Sequence, residues 1–200
     1  MRNFDENYSL VRVLHAIPDT EAMDVYLNGD IMFKNMNFTE FSPYIYVPEG
    51  EYILELYPSE LSQNPILEKE IKFESGKLST LALIGSRESI EILNIDEDMV
   101  MPPEDKSKLR FIHLVPNGRE VNVLLDGEEV ANKVRYKDVT EYEVIDPEIY
   151  QAEVELSQNG KLIRSLRIRI NPNRIYSFYA LGNKPNFQVF QSLDGATFLN

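Results

Sequence analysis

The chain has 200 residues, a net charge of −13, two His, no Cys and no Trp. Without Cys there are no disulfides, thiolate zinc sites, iron–sulfur clusters or cysteine nucleophiles, and two His cannot build a three-His metal site. The acidic balance (pI about 4.6) excludes nonspecific attraction to nucleic acid or to anionic membrane surfaces.

The N-terminus, Met1-Arg2-Asn3-Phe4-Asp5-Glu6-Asn7-Tyr8-Ser9, lacks the apolar core of a signal peptide. No run of about 18 apolar residues occurs, so no membrane insertion is expected. Read literally, these features predict a cytoplasmic protein.

Self-similarity organises the rest. Val11-Arg12-Val13-Leu14-His15-Ala16-Ile17-Pro18 matches Leu109-Arg110-Phe111-Ile112-His113-Leu114-Val115-Pro116 at an offset of 98. The register continues through Asp24-Val25-Tyr26-Leu27-Asn28-Gly29 against Asn122-Val123-Leu124-Leu125-Asp126-Gly127. Six of these 19 pairs are identical and three more are Asp/Asn exchanges, which preserve turn chemistry. The register persists at Phe38/Tyr136, Tyr44/Tyr142 and Tyr52/Tyr150, then slips to 97 where Leu81-Ala82-Leu83-Ile84-Gly85 faces Phe178-Tyr179-Ala180-Leu181-Gly182. Two homologous domains of about 90 residues follow.

Period-2 alternation predicts strands in the first repeat near 10–15, 23–28, 31–34, 44–47, 51–57, 66–73, 78–84 and 89–93. Turn signals separate them: Pro18-Asp19, Asn28-Gly29, Pro48-Glu49-Gly50 and Ser75-Gly76. The second repeat has Pro116-Asn117-Gly118, Asp126-Gly127, Asp146-Pro147, Asn159-Gly160 and Asn171-Pro172-Asn173. Asn28-Gly29 and Asp126-Gly127 carry the strongest hairpin signal, because both central residues of a type I′ turn need positive φ. Short strands with turns at this spacing predict an all-β chain of two tandem immunoglobulin-like antiparallel β-sandwiches.

The expected division is an N-terminal extension over 1–9, a sandwich over 10–95, a linker over 96–106, a second sandwich over 107–194 and a tail over 195–200. The acidic run from Asp96 to Asp105, with Pro102-Pro103, reads as a solvated linker. It lacks the alternating acids and central Gly of an EF-type calcium loop. Residues 1–100 carry 19 acids and 7 bases, whereas residues 101–200 carry 14 and 13. Either the two surfaces face different surroundings, or they drifted apart after duplication.

Val11-Arg12-Val13-Leu14-His15-Ala16-Ile17-Pro18-Asp19, followed by Met23-Asp24-Val25-Tyr26-Leu27-Asn28-Gly29, resembles the signature of the bacterial domain-of-unknown-function family numbered 4397. Ser42-Pro43-Tyr44, Val47-Pro48-Glu49-Gly50-Glu51-Tyr52 and Glu74-Ser75-Gly76-Lys77 are similar to further segments of that family. The match spans nearly the whole chain and is looser in the second repeat, where Asp19 and Asp24 become Asn117 and Asn122. The resemblance implies tandem immunoglobulin-like domains, often secreted or on the bacterial surface, and it implies no known activity.

The two histidines, His15 and His113, occupy equivalent positions, so one constraint acts on both. The structural reading has each ring buried and bonded to backbone, fixing the turn that follows. The functional reading gathers His15, Asp19 and Asp24 into a polar site that binds a metal or carbohydrate or performs weak hydrolysis. The exchange to Asn117 and Asn122 favours structure, because turn roles survive that change and acid–base roles do not. Gly85-Ser86-Arg87 lacks the nucleophile-elbow pattern, and Ser75-Gly76-Lys77-Leu78-Ser79 lacks the upstream Gly of a phosphate loop. Asn7-Tyr8-Ser9 and Asn37-Phe38-Thr39 fit glycosylation sequons, which are frequent by chance.

Lys161, Arg164, Arg167, Arg169 and Arg174 suggest a basic stripe able to dock an acidic partner, or else a solvated strand face. Tyr44, Tyr46, Tyr52 and Tyr57 suggest an aromatic sugar platform, or else sandwich packing with a tyrosine corner. The expectation is a non-catalytic structural or protein-interaction module. No cofactor and no metal are expected, and the expected partner is another protein or an envelope polymer.

Overall fold

The structure is a computed structural model that describes residues 7–59, 64–183 and 186–199. Contacts divide the chain into a first unit ending at Met99 and a second beginning at Val100. Each unit is a β-sandwich of eight strands in two four-stranded sheets.

The first unit comprises β1 (Tyr8–His15), β2 (Met23–Leu27), β3 (Asp30–Met36), β4 (Ile45–Pro48), β5 (Gly50–Pro58), β6 (Leu67–Phe73), β7 (Leu78–Ser86) and β8 (Ser89–Glu97). The second comprises β9 (Ser107–His113), β10 (Val121–Leu125), β11 (Glu128–Val134), β12 (Glu143–Ile145), β13 (Ile149–Leu156), β14 (Leu162–Arg169), β15 (Ile175–Gly182) and β16 (Phe187–Leu193), followed by a 3-10 turn at Gly195–Phe198. The sheet orders are β4-β1-β7-β8 with β3-β2-β5-β6, and β12-β9-β15-β16 with β11-β10-β13-β14.

Alternation decides which side chains meet. Val11, Val13, Leu81, Leu83 and Ile92 of one sheet pack on Val25, Met36, Leu54, Leu56 and Phe73 of the other. In the second unit Leu109, Phe111, Phe178 and Ala180 pack on Val121, Val123, Val134, Ala152, Val154 and Ile168. Each interior is closed by burying apolar side chains from both sheets, which is the main favourable term in such a fold.

The hairpin turns have the backbone that their residues demand: φ is +51° at Asn28 and +79° at Gly29, and +48° at Asp126 and +85° at Gly127. Asn28 Oδ1 also accepts from Ile53 N, and Asp126 Oδ1 from Gln151 N.

The two all-β sandwiches are antiparallel as expected except for one strand pair in each unit. β1 pairs β7 in parallel, from Leu10↔Leu78 to His15↔Leu83, and β9 pairs β15 in parallel. A parallel pair needs a long crossover, and the four strands of the opposite sheet and β4 lie between β1 and β7 in the chain.

Three expected boundaries also move. β1 begins at Tyr8 with Ser9 buried, so part of the N-terminal extension is a strand. β8 runs on to Glu97, which is buried, so the acidic run is not wholly a solvated linker. The tail buries Gly195, Ala196 and Thr197, and Thr197 Oγ1 accepts from Ile175 N at 3.0 Å. Residues 1–6 of the extension and Asn200 of the tail lie outside the described residues. Among the described residues no helix is long and apolar enough to cross a membrane.

Candidate functional site

His15 and His113 end their strands with no exposed surface. Nδ1 of His15 accepts from Ile17 N at 3.3 Å, and Nε2 lies 3.4 Å from Glu21 O and from Thr20 Oγ1. His113 repeats this: Nδ1 accepts from Val115 N at 3.2 Å, and Nε2–H donates to Arg119 O at 3.1 Å. An Nδ1 that accepts and an Nε2 that donates define a neutral imidazole. Burial lowers both pKa values from 6.5, opposed by the backbone bonds and by Glu40 at His15 and Asp138 at His113. The rings meet Phe38 and Phe187 edge-on. Each imidazole thus spans the loop that leaves its strand, using both ring nitrogens.

Close packing around His113 explains Gly118. A Cβ there would sit 2.5 Å from His113 Cε1 and 2.8 Å from Val115 O. We expect Gly118→Ala to destabilise the second unit by about 1–3 kcal/mol through overpacking. Urea-unfolding midpoints check this, and an unchanged midpoint would contradict it.

Among the described residues His15, Asp19 and Asp24 do not group to hold a metal ion, and Asp24 is engaged by other partners. Asp24 Oδ1 accepts from Asn35 N at 2.7 Å and from Ser59 Oγ, holding Asn35 at φ +53° where β3 bulges against β2. Asn122 Oδ1 does the same for Lys133 N at 2.9 Å, with Lys133 at φ +52°. Only an acceptor oxygen is needed there, so Asp and Asn are interchangeable. Asp19 and Asn117 both take a left-handed turn conformation, at φ +57° and +54°. Among the described residues no three His, Asp or Glu side chains group to hold a metal ion.

The basic residues also divide. Arg167 and Arg169 point outward from edge strand β14, whose inward residues are Leu166 and Ile168. Arg164 sits at a register shift, Lys161 precedes the strand and Arg174 follows it. The five therefore do not form one stripe; two share a face, because the shift and the strand length separate the others.

The tyrosines take separate roles. Tyr52 OH donates to Pro48 O at 3.0 Å and Tyr150 OH to Asp146 O at 2.9 Å, tying each corner to the backbone four residues upstream. Tyr57 OH donates to Glu55, its ring meets Tyr26 edge-on, and Tyr46 is exposed. Tyr44 belongs to a buried polar cluster on the face of β1 opposite the core. There Arg12 Nε donates to Thr80 Oγ1 at 2.8 Å, Thr80 donates to Glu97 at 2.6 Å, and Tyr44 OH donates to the same carboxylate. Arg12 also stacks on the Phe41 and Tyr44 rings. Arg110, Ser177, Asp194 and Tyr142 repeat the cluster in the second unit. The identity of Arg12 and Arg110 was visible in the repeat, but their acidic partners lie where the register has slipped by one.

The repeats differ most at one sandwich edge. In the first unit a groove of about 400 Å³ opens between edge strands β6 and β8. Ile71, Phe73, Leu81 and Ile92 line it, together with Ser9, Ser79, Asn94, Asp96 and three lysines: Lys69, Lys72 and Lys77. Lys69 Nζ reaches across to Ile92 O at 3.2 Å. Ser79 is only 4% exposed, and its hydroxyl has no hydrogen-bond partner among the described residues. In the second unit the strand register puts Tyr176 at the position of Ser79, Leu166 at that of Lys69 and Leu193 at that of Asp96. Those three side chains pack into the core, and Tyr176 OH accepts from Asn171 N. The second repeat fills the space that the first leaves open. It has a groove of its own, about 450 Å³, around the loop after His113 and the start of β14, where Lys161 and Arg119 lie.

The sequence profile of a family described as a domain of unknown function (DUF4397) matches residues 9–123 and 107–197. The chain belongs to this family. The second matched region covers the second repeat; the first covers the first repeat and runs on into β10, so the two overlap. No curated protein sequence matches the chain. Among solved structures, it is similar to a family-26 carbohydrate-binding module of Eubacterium rectale Amy13K in complex with maltoheptaose. That match has 10% identity, covers 94% of this chain and 99% of the other, and has a TM-score of 0.30. An α-glucan-binding streptococcal virulence factor matches at 8% identity, with 91% and 96% of the chains covered and a TM-score of 0.28. A candidate cell adhesion protein from Bacteroides ovatus matches at 10% identity, with 96% and 98% covered and a TM-score of 0.31. Likenesses this distant carry no argument about what this chain binds.

Proposed function

We propose that the protein is a non-catalytic binding module in which the first repeat carries the ligand groove between β6 and β8, and the second repeat has that position filled. The observation that carries this reading is Ser79. Its side chain is nearly buried, its hydroxyl has no protein partner among the described residues, and it lines a groove that the second repeat plugs at this point with a tyrosine. A hydroxyl that opens into a groove with no protein partner is left to hydrogen-bond with water or a ligand. A pocket of several hundred cubic ångströms with an apolar floor and a few polar groups has the anatomy of a small-molecule site. The two imidazoles, committed to backbone bonds in neutral form, favour binding over acid–base chemistry. The partner on this reading is another protein or an envelope polymer, at the cell surface or in secreted material.

A dye-based thermal-shift screen tests it, since the chain has no Trp. The panel holds glycans, nucleotides, calcium, zinc and magnesium. A ligand at 100 times its Kd should add about 2.7 kcal/mol of apparent stability. The reading expects a saturable shift with an organic ligand that disappears in Ser79→Tyr. A shift retained in that variant, or turnover of a panel compound, would overturn it.

A further inference from the structure

We propose that the groove between β6 and β8 takes an anionic sugar, a residue of the uronic-acid class. This rests on the reading of that groove as the binding site.

The first argument is charge. Residues 1–100 carry 19 acids and only 7 bases, yet Lys69, Lys72 and Lys77 all line this groove. Two carboxylates line it with them, Glu74 and Asp96. Lys72 pairs with Glu74 at 3.6 Å in solvent, and such an exposed pair is readily exchanged. Lys69 donates to a backbone carbonyl, and Lys77 ion-pairs with no carboxylate among the described residues. Where acids outnumber bases almost three to one, two lysines without carboxylate partners in one groove form a local positive site. Low-dielectric walls focus such a field on a bound anion.

The second argument is the remaining lining. Ser79 offers its hydroxyl from the groove interior, and Asn94 and Asp96 lie on β8 with Nδ2 of Asn94 donating to Asp96 at 2.9 Å. This mixture of donors and acceptors matches vicinal hydroxyls, each of which both donates and accepts. Ile71, Phe73, Leu81 and Ile92 provide an apolar floor for ring C–H groups. An inorganic anion would use the lysines and the serine and leave that floor idle. A neutral sugar would use the floor and leave the lysines idle. An acidic sugar engages both.

The test is isothermal titration of the full chain with glucuronic acid, glucose and inorganic phosphate at matched low ionic strength. We expect saturable glucuronate binding at least tenfold tighter than either comparison. We expect it to be lost in Ser79→Tyr, which installs the side chain of the second repeat, and weakened about tenfold in Lys77→Gln. Lys77 is exposed, so that variant tests the anion claim with an undisturbed core. Raising salt should weaken glucuronate binding through screening. Glucose binding as tight as glucuronate, and lost in Ser79→Tyr, would overturn the anionic specificity while leaving the groove as the binding site. Phosphate as tight as glucuronate would overturn the sugar. Glucuronate bound equally by wild type and Ser79→Tyr would overturn both this inference and the function it rests on. No glucuronate binding at millimolar concentration would overturn the inference alone.

Discussion

Replacing Glu97 with alanine is expected to lower the stability of the first unit by about 3–5 kcal/mol, the range for breaking a buried ion pair from one side. The Glu97 side chain has no exposed surface and Arg12 has 5%. Their closest approach is 3.4 Å, and Thr80 and Tyr44 donate to the same carboxylate. Alanine would leave a guanidinium in a dry site, with the Thr80 and Tyr44 hydroxyls deprived of their acceptor. The desolvation already incurred by Arg12 would then go uncompensated. Substituting the group together (Arg12→Met, Thr80→Val, Glu97→Leu) should recover most of the loss, because an apolar set of similar volume carries no stranded charge. Urea unfolding followed by circular dichroism reads both variants. A loss below about 1 kcal/mol for Glu97→Ala would show that water reaches the site and that the pair behaves as a surface contact. The same experiment at Asp194, whose side chain is also fully buried beside Arg110, should give a comparable loss in the second unit.

Removing an imidazole should have the next largest effect. His113→Ala leaves Val115 N without its acceptor and Arg119 O without its donor, a penalty of about 1–3 kcal/mol for buried groups. His15→Ala should cost a similar amount. A pH dependence accompanies this. Burial holds both folded pKa values below 6.5, so the unfolded chain takes up protons first as the solution is acidified. Stability from these groups is therefore full above about pH 6.5 and falls as pH drops from there toward the folded pKa values. Glu40 and Asp138 attract the proton and narrow that window. Urea midpoints at pH 7.5 and 5.5 should differ less in a His15→Gln/His113→Gln double variant than in the wild type. Identical differences would show that carboxylates alone set the acid sensitivity.

Much of the fold was legible because its signals are local. Alternation placed the eight strands of the first repeat near their observed bounds, and Asn-Gly and Asp-Gly specified their own left-handed backbone. The two histidines were readable as one constraint because they recur in register. The Asp-to-Asn exchanges pointed to structural roles in turns, and Asp24 and Asn122 serve as hydrogen-bond acceptors at matching bulges.

The site was less legible. Glu97 lay within an acidic run that reads as solvent-facing, and nothing nearby in sequence announces Arg12 as its partner 85 positions away. The basic residues read as one stripe because proximity in sequence hides a register shift in β14. The groove required a comparison that only paired strands allow. Ser79 against Tyr176 matters because both positions face the sandwich interior, and that phase follows from the register.

By itself, then, the sequence determined the duplication, the all-β class, the hairpin turns and the paired role of the histidines. Each depends on chemistry within a few residues or on repetition along the chain. Tertiary structure alone decided the parallel pairing of β1 with β7, the burial of Arg12 with Glu97, the engagement of Asp24 by Asn35 and Ser59, and the groove open in one repeat and filled in the other. Those features arise where strands distant in sequence meet, and there packing space and desolvation, rather than local propensity, select what each side chain touches.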